Sequence, residues 1–322
     1  MSCSSRRTEP GASGSSTRPF VLAILGPTAT GKTPVAVELA LAVDGEVISA
    51  DSRAFFVGLD VVTAKPTAVE RRGVAHHLID VVPARGEYDA MSFRGDVERL
   101  VPEIVSRGHL PILAGGGTLY LGAVLHGIFS GPGKDVAFRR SAERETNETL
   151  YNRLIEVDPA AARAIHFNDR LRMVRALEVF HLTERPISRW QAEARPLPYR
   201  FVSFGLHRDP EEHRHAIAER ARGMVEAGLV EEAARLRAEG LSPSDQAART
   251  IGIPEAWDRL DGRIDDRELV DRITAATWAL VKRQTAWFRR DPDVEWIDVT
   301  GRSSGDVAAE MVTRCRDELE KL

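Results

Sequence analysis

Cysteine is almost missing from this chain: 322 residues hold two, Cys3 and Cys315, one near each end. Two thiols can build neither a disulfide framework nor a cysteine-based zinc site. That scarcity is consistent with a reducing compartment, and the cytoplasm is the expected location. No stretch approaches the ~20 consecutive apolar residues of a membrane span, so a soluble protein is expected. The opening segment, MSCSSRRTEPGASGSSTR, has no apolar core of the kind a secretory signal needs. An unstructured tail is expected over residues 1–18. A global excess of positive charge is missing too, because 44 Lys and Arg face 48 Asp and Glu, for a net charge of −4. Any contact with nucleic acid must therefore come from local clusters of Lys and Arg. Apolar material is plentiful at 43% of residues, enough for a buried core and unlike a disordered composition.

The pattern of that apolar material alternates between two periods. PFVLAIL (19–25) is a short continuous run that suits a buried parallel strand. KTPVAVELALAV then places Val35, Leu39 and Val43 about one helical turn apart, with Pro34 confined to the first turn. EVISAD (46–51) reads as a second strand ending at Asp51. A helix over about 89–107 and the strand LPILAGG follow. Strand–helix alternation predicts an α/β fold with a parallel sheet covered by helices. From about residue 130 the chain turns charged and helical with no convincing strand, until YRFVSFGL (199–206) resumes the strand pattern. Several helices are then expected to the end. The simplest organisation is a core of 19–129 and 199–322 interrupted by a helical insertion at 130–198.

Gly26-Pro27-Thr28-Ala29-Thr30-Gly31-Lys32-Thr33 matches the phosphate-loop pattern G-x-x-x-x-G-K-[ST], between a predicted strand and a predicted helix. In such a loop, backbone N–H groups converge on phosphate oxygens and the following helix points its positive end at them. Lys32 adds a point charge, and the Thr33 hydroxyl can ligate Mg²⁺. A phosphoryl-transfer enzyme usually adds a second acid at the end of an apolar strand. LPILAGGG (110–117) ends in three glycines instead. The acid stands at Asp51, at the carboxyl end of the second strand, where parallel sheets form their ligand crevices. Position alone leaves two readings open: a cap or turn acid, or a proton acceptor for an incoming nucleophile. His76-His77 does not suit a metal pair, since adjacent side chains diverge on regular structure. Trp190, Trp257 and Trp278 read as packing residues.

Seven separated stretches, in order, resemble the tRNA dimethylallyltransferases (tRNA isopentenyltransferases) of bacterial type. They are GPTATGKT, ISADSRAFFVGLDVVTAKPT, GVAHHLID, PILAGGGTLYLGAVLHGIF, DPAAARAIHFNDRLRMVRALEVF, ARTIGIPEAW and KRQTAWFRRD, spanning about residues 20–298. The resemblance implies a P-loop NTPase-like core and a loop that holds dimethylallyl diphosphate, with Mg²⁺, rather than ATP. The exocyclic amine of an adenosine beside the tRNA anticodon would attack the allylic carbon, and diphosphate would leave. On this reading Lys32 and the loop amides stabilise the leaving charge. Asp51 takes the amine proton, and Arg249 forks onto the diphosphate. The helical insertion would close on the anticodon stem-loop, with the target base flipped into a channel. Nothing in the sequence demands more than a monomer.

From Arg163 to Arg200 there are eight Arg against Asp169, Glu178, Glu184 and Glu193, a local net of +4. These positions, with Arg172 and Arg175 foremost, are candidates for RNA phosphates, as are Arg53, Lys282, Arg283, Trp287 and Arg289. Charged helical faces that are simply solvated are the competing reading. The sequence also departs from the family. Gly117 stands where G-G-T-x-L-Y would place a threonine at the diphosphate, and Thr118 is one position along. Trp278 replaces a commonly basic position, and Arg53 a smaller or apolar one. Two other readings compete: prenylation of a free adenine nucleotide, which would need no anticodon clamp, and tRNA binding without catalysis, which Gly117 motivates. A small-molecule kinase comes last, for want of the second acid.

Overall fold

The computed structural model describes residues 18–321, so the expected tail, save Arg18, and Cys3 lie outside the described residues. Six strands form one parallel sheet: β1 (Phe20–Leu25), β2 (Gly45–Ser49), β3 (His76–His77), β4 (Leu110–Gly115), β5 (Arg200–His207) and β6 (Val294–Asp298). Their order is β3-β2-β4-β1-β5-β6. The chain thus moves outward from β1 on one side, returns with β4 beside it, and builds the other side late with β5 and β6. The carboxyl ends of β1, β2 and β4 meet where that direction reverses, which is where an open α/β sheet forms its crevice.

The first half carries α1 (Lys32–Val43), a single turn α2 (Ala68–Arg71), α3 (Ala90–Ser106) and α4 (Thr118–Leu125). Then come α5 (Val136–Glu143), α6 (Asn147–Val157), α7 (Pro159–Ala164), α8 (Arg170–Thr183) and α9 (Ile187–Glu193). After β5 follow α10 (Pro210–Glu226), α11 (Leu229–Ala238), α12 (Ile253–Leu260), α13 (Asp266–Phe288), α14 (Ser304–Arg314) and a last turn, α15 (Arg316–Leu319). The strands are apolar on both sides because helices cover both faces. Val21, Ala23 and Leu25 pack against α3 and α4, while Phe20, Leu22 and Ile24 pack against α1 and α14. The helix stop at α1 is local: Asp44 takes a left-handed conformation and returns its N–H to Ala40.

Helices α5–α9 share an apolar core of their own, built on Phe138, Leu150, Leu154, Met173 and Leu177. Two acids are buried among these helices: Asp158, which accepts the Ala161 and Ser188 N–H groups at 3.0 and 2.9 Å, and Glu178. Glu178 is fully buried and accepts hydrogen bonds from Arg139 (2.6 and 2.8 Å), Arg175 (2.6 Å) and the Asp135 N–H (2.8 Å). Burial pushes this carboxyl up, but those donors outweigh it and hold the group at about 2.

The structure corrects the expectation of helices alone after β5, since β6 lies between α13 and α14. VEWID has only two buried residues, Val294 and Ile297, and reads poorly as a strand by itself. Its place comes from pairing with Ser203–His207 of β5. The two-residue β3 is equally silent in sequence. His77 Nε2 sits 2.6 Å from Glu46, which Arg107 also grips at 3.0 and 2.6 Å. His76 Nδ1 faces the Val74 C=O at 3.0 Å. Among the described residues no helix is long and apolar enough to cross a membrane.

Candidate active site

The loop between β1 and α1 is shaped by close approach. Gly26 takes φ +146°, and a Cβ there would stand 2.7 Å from the Leu206 carbonyl oxygen, so only glycine fits. Thr30 is buried, and its hydroxyl donates to Pro27 C=O at 2.8 Å. Lys32 Nζ donates to the same carbonyl at 2.5 Å. Gly31, at φ +82°, is the N-cap of α1 and has no side chain to fill the cap. Val35 N–H is the first to be used inside the helix, on Gly31 C=O, and Pro34 has none. The Lys32 and Thr33 N–H groups are therefore left for an anion at the positive end of α1.

Two cavities, about 330 and 370 Å³, open on either side of this loop. Both are lined by Thr28, Lys32, Asp51, Thr63 and Arg220, which form the waist between them. The second cavity adds the inner face of the loop, Ala29, Gly31 and Thr33, together with Ser49 and Lys65. The first has apolar walls from Val62, Ile217, Met224 and Ile273, and a cationic rim of Arg53, Arg249 and Arg283.

Asp51 follows β2 directly and is exposed to both cavities. Its Oδ1 accepts the Arg53 N–H at 2.9 Å, and Oδ2 has no hydrogen-bond partner among the described residues. Lys32 is half-buried, and desolvation draws its ammonium down to about 7, against the opposing pull of Asp51. Arg220 donates to Thr63 C=O at 2.9 Å, and Arg53 to Gln246 C=O at 2.9 Å. Burial lowers both guanidiniums from their usual range. Neither guanidinium has a carboxylate within ion-pair distance among the described residues, and Arg249, on the turn Ala247–Arg249, has none either. Across the two cavities Lys32, Arg53, Arg220, Arg249 and Arg283 thus outnumber Asp51 and Glu70, with Lys65 already paired to Asp60 and Asp80. Such a surplus attracts a compact polyanion, and Asp51 beside it can take a proton from a neutral nucleophile.

The structure brings together Thr28, Ala29, Gly31, Lys32, Thr33, Asp51, Arg53, Thr118, Arg249 and Arg283. Gly26, Pro27 and Thr30 shape the loop without lining either cavity. Arg172 is exposed on α8, 3.4 Å from Asp169, and Arg175 is engaged by Glu178 and by Pro132 C=O at 2.8 Å. Lys282 and Arg289 are exposed on and just beyond α13. Trp287 is half-buried against Phe288, His126 and Gly122. Trp257 is core, its indole N–H on Ala233 C=O, and Trp278 sits between His213 and Arg214. Trp190 stacks on Phe129. Gly117 lies against β2: a Cβ there would stand 2.7 Å from Ala50 C=O, so this backbone has no room for a threonine without shifting. Thr118 lines the first cavity as the first residue of α4.

Sequence reasoning missed Arg220. It lies seven residues beyond His213 on one face of α10, with Ile217 between them, and the three turn toward the loop and cavities. The i, i+4, i+7 spacing was visible, but charged residues on such a helix ordinarily face solvent.

A family model described as IPP transferase matches residues 54–291. The tRNA dimethylallyltransferase of Pelotomaculum thermopropionicum is 36% identical over 302 residues, covering 92% of this chain and 96% of that one. That of Thermomicrobium roseum is 41% identical over 285 residues, covering 87% and 86%. Among solved structures, the full-length tRNA isopentenylpyrophosphate transferase of Bacillus halodurans is 36% identical, with a TM-score of 0.71 over 95% of this chain and 98% of that one. A eukaryotic dimethylallyltransferase acting on tRNA shares the fold, with a TM-score of 0.79 at 24% identity over 93% and 80%. The chain belongs to the IPP transferase family.

Proposed function

We propose that this protein transfers a dimethylallyl group from dimethylallyl diphosphate to the exocyclic amine of the adenosine 3′ of a tRNA anticodon. The observation that carries the reading is the waist, where Asp51 faces two cavities at once beside Lys32 and Arg220. The diphosphate belongs in the second cavity, on the Lys32 and Thr33 N–H groups and the Lys32 ammonium. The hydrocarbon then crosses the waist toward Val62, Ile217 and Met224, which offer an apolar wall to a branched five-carbon chain. The adenine enters through the first cavity, past Arg53 and Arg283. Its amine attacks the allylic carbon, the C–O bond to diphosphate breaks, and Asp51 Oδ2 takes the proton that the amine must lose.

As that C–O bond breaks, positive charge develops on carbon and negative charge on diphosphate. Lys32 and Arg220, which line the second cavity, meet the negative charge without reorganisation. The Thr33 hydroxyl, with Ser49 and Asp51 lining the same cavity, is suited to Mg²⁺, which asks for few protein oxygens and completes its shell with water and phosphate. When bound, that ion would supply charge neutralisation of the leaving group. We assign residues 130–198 to holding the anticodon stem-loop, with Arg172, Arg163 and Arg189 available for phosphates. The two latter side chains make no hydrogen bond or ion pair among the described residues.

The test is transfer of labelled dimethylallyl groups, with Mg²⁺, to tRNA lacking the modification. AMP and ATP serve as parallel acceptors and Asp51→Ala as control. Label in tRNA alone, abolished by the substitution, is the expected outcome. Label in AMP or ATP alone would overturn it in favour of nucleotide prenylation.

A further inference from the structure

One residue of the phosphate loop is held from outside at both of its polar backbone groups. Thr28 N–H donates to Gln284 Oε1 at 3.0 Å, and Thr28 C=O lies 2.8 Å from His213 Nε2, which must donate to it. Gln284 is 8% exposed and His213 4%. They come from α13 and α10, 256 and 185 residues along the chain. Gln284 does more than hold Thr28: its Nε2 donates to Gly116 C=O at 2.7 Å, so one amide bridges the loops that follow β1 and β4. A Cβ on Gly116 would sit 2.8 Å from that nitrogen and 3.0 Å from Gly26 C=O, so the bridge requires glycine there.

The geometry points to His213 and Gln284 as positioning residues for diphosphate binding, an inference that rests on the function proposed above. Pinning both peptide planes of Thr28 fixes the direction in which the chain enters Ala29. Ala29 is left-handed at φ 63°, a conformation an L-alanine adopts only at a cost. That turn aims the amides of Gly31–Thr33 into the second cavity. Without either tie Ala29 can relax, and the amides no longer converge. Neither side chain lines the second cavity, so each acts on the diphosphate through Thr28, while Gln284 also forms part of the wall of the first cavity. Gln284 also sets the separation of the phosphate loop from Gly117 and Thr118, hence the width of the first cavity at the waist.

The experiment measures binding of inorganic diphosphate with Mg²⁺ by calorimetry, and transfer kinetics with each substrate varied, for Gln284→Leu, His213→Phe and His213→Gln. Circular dichroism and thermal melting establish that each variant is folded. Gln284→Met is the milder substitute should the leucine variant not fold, because its unbranched chain fills similar space and removes both hydrogen bonds without burying a charge. We expect Gln284→Leu and His213→Phe to weaken diphosphate binding by about tenfold or more. The KM for the prenyl donor should rise while affinity for an anticodon stem-loop RNA stays within twofold. His213→Gln should recover most of the loss, since its amide can still donate to Thr28 C=O. Folded variants that bind diphosphate within twofold of the parent would overturn the inference, as would a rise confined to the RNA substrate. A parent protein that binds diphosphate yet prenylates no RNA would sink the proposed function while the diphosphate affinities still decide this inference.

Discussion

Around Glu178, two guanidiniums close on one buried carboxylate, and both oxygens of that acid are used. Around Asp51, which is open to both cavities, cations outnumber carboxylates. The first arrangement is self-sufficient, because its acid and bases satisfy each other within the fold. The second is satisfied only by something from outside that brings several negative charges. Arginine is abundant in both regions, so its count alone does not tell them apart. What separates them is whether a carboxylate lies within reach. Of the eight arginines from Arg163 to Arg200, Arg175, Arg185 and Arg200 are paired with Glu178, Glu193 and Glu318. Arg170 is tied to Ala142 C=O and Glu145 C=O. The nominal +4 of that segment therefore overstates the charge available to RNA.

The sharpest way to break this contrast is to remove the acid at the waist. Asp51→Ala should lower kcat about 10²–10⁴-fold while leaving RNA affinity and the melting temperature nearly unchanged. Single-turnover transfer with saturating substrates measures it, and a melting temperature that fell in step with the rate would place Asp51 with Glu178 instead. Next comes a matched pair of arginine substitutions. Arg220→Leu should cost about 10²–10³ in transfer rate with little loss of stability. Arg139→Leu should do the reverse, destabilising the fold by about 3 kcal/mol because Glu178 keeps Arg175 but loses its bidentate partner. Urea unfolding and kinetics on both variants decide between the two patterns. The carboxylate gives this a pH signature. Glu178 is held at about 2 against a usual 4.5, so its contribution is fully present above pH 4.5 and is lost as pH falls through about 2. Glu178→Gln should flatten that acid limb.

A smaller effect, about tenfold per pH unit, is expected from Lys32. Its ammonium titrates near 7 in the free site, and diphosphate binds best to the charged form. Affinity for dimethylallyl diphosphate should therefore be level below pH 7 and weaken above it, with proton uptake on binding. Calorimetry at pH 8 in buffers of different ionisation enthalpy measures that uptake, and none would mean that Lys32 stays charged throughout. The smallest effect separates two neighbouring arginines. Arg172→Ala should reduce the slope of log affinity against log salt for RNA by about 0.7–0.9. Arg175→Ala should leave that slope alone and lower the melting temperature, because its guanidinium is already held by Glu178.

Much of the front of the site was legible. The β1–loop–α1 unit is continuous in sequence, and its pattern carries its own mechanism. Asp51 could be placed by the rule that strand carboxyl ends line the crevice. The pairing of Arg175 with Glu178 was passed over, although it is an i, i+3 contact on a helical stretch, and Arg175 was expected on RNA phosphates instead. The back wall was not legible. Arg220, His213 and Gln284 reach the loop only because α10 and α13 cross it after the sheet has formed, and no local spacing records such a crossing. β6 was hidden for a related reason: its strand character comes from β5, not from its own alternation. Gly117 could be flagged as unusual from its neighbours in sequence, but its reason, the proximity of Ala50 C=O, is a contact between strand ends.

The tie between Thr28 and Gln284 also has a consequence for synthesis. The phosphate loop is made well before the residue that fastens its outer arm, which lies 256 positions further along the chain. While the ribosome is still adding α13, the nascent chain already contains every residue from Gly26 to Thr33, together with Asp51, Arg220 and Arg249. It does not yet contain the amide that holds Thr28 beside Gly116. A chain released between residues 249 and 284 therefore carries the whole motif and lacks one of the two fastenings of its loop. On the proposed function, competence to hold diphosphate would wait until α13 has been made.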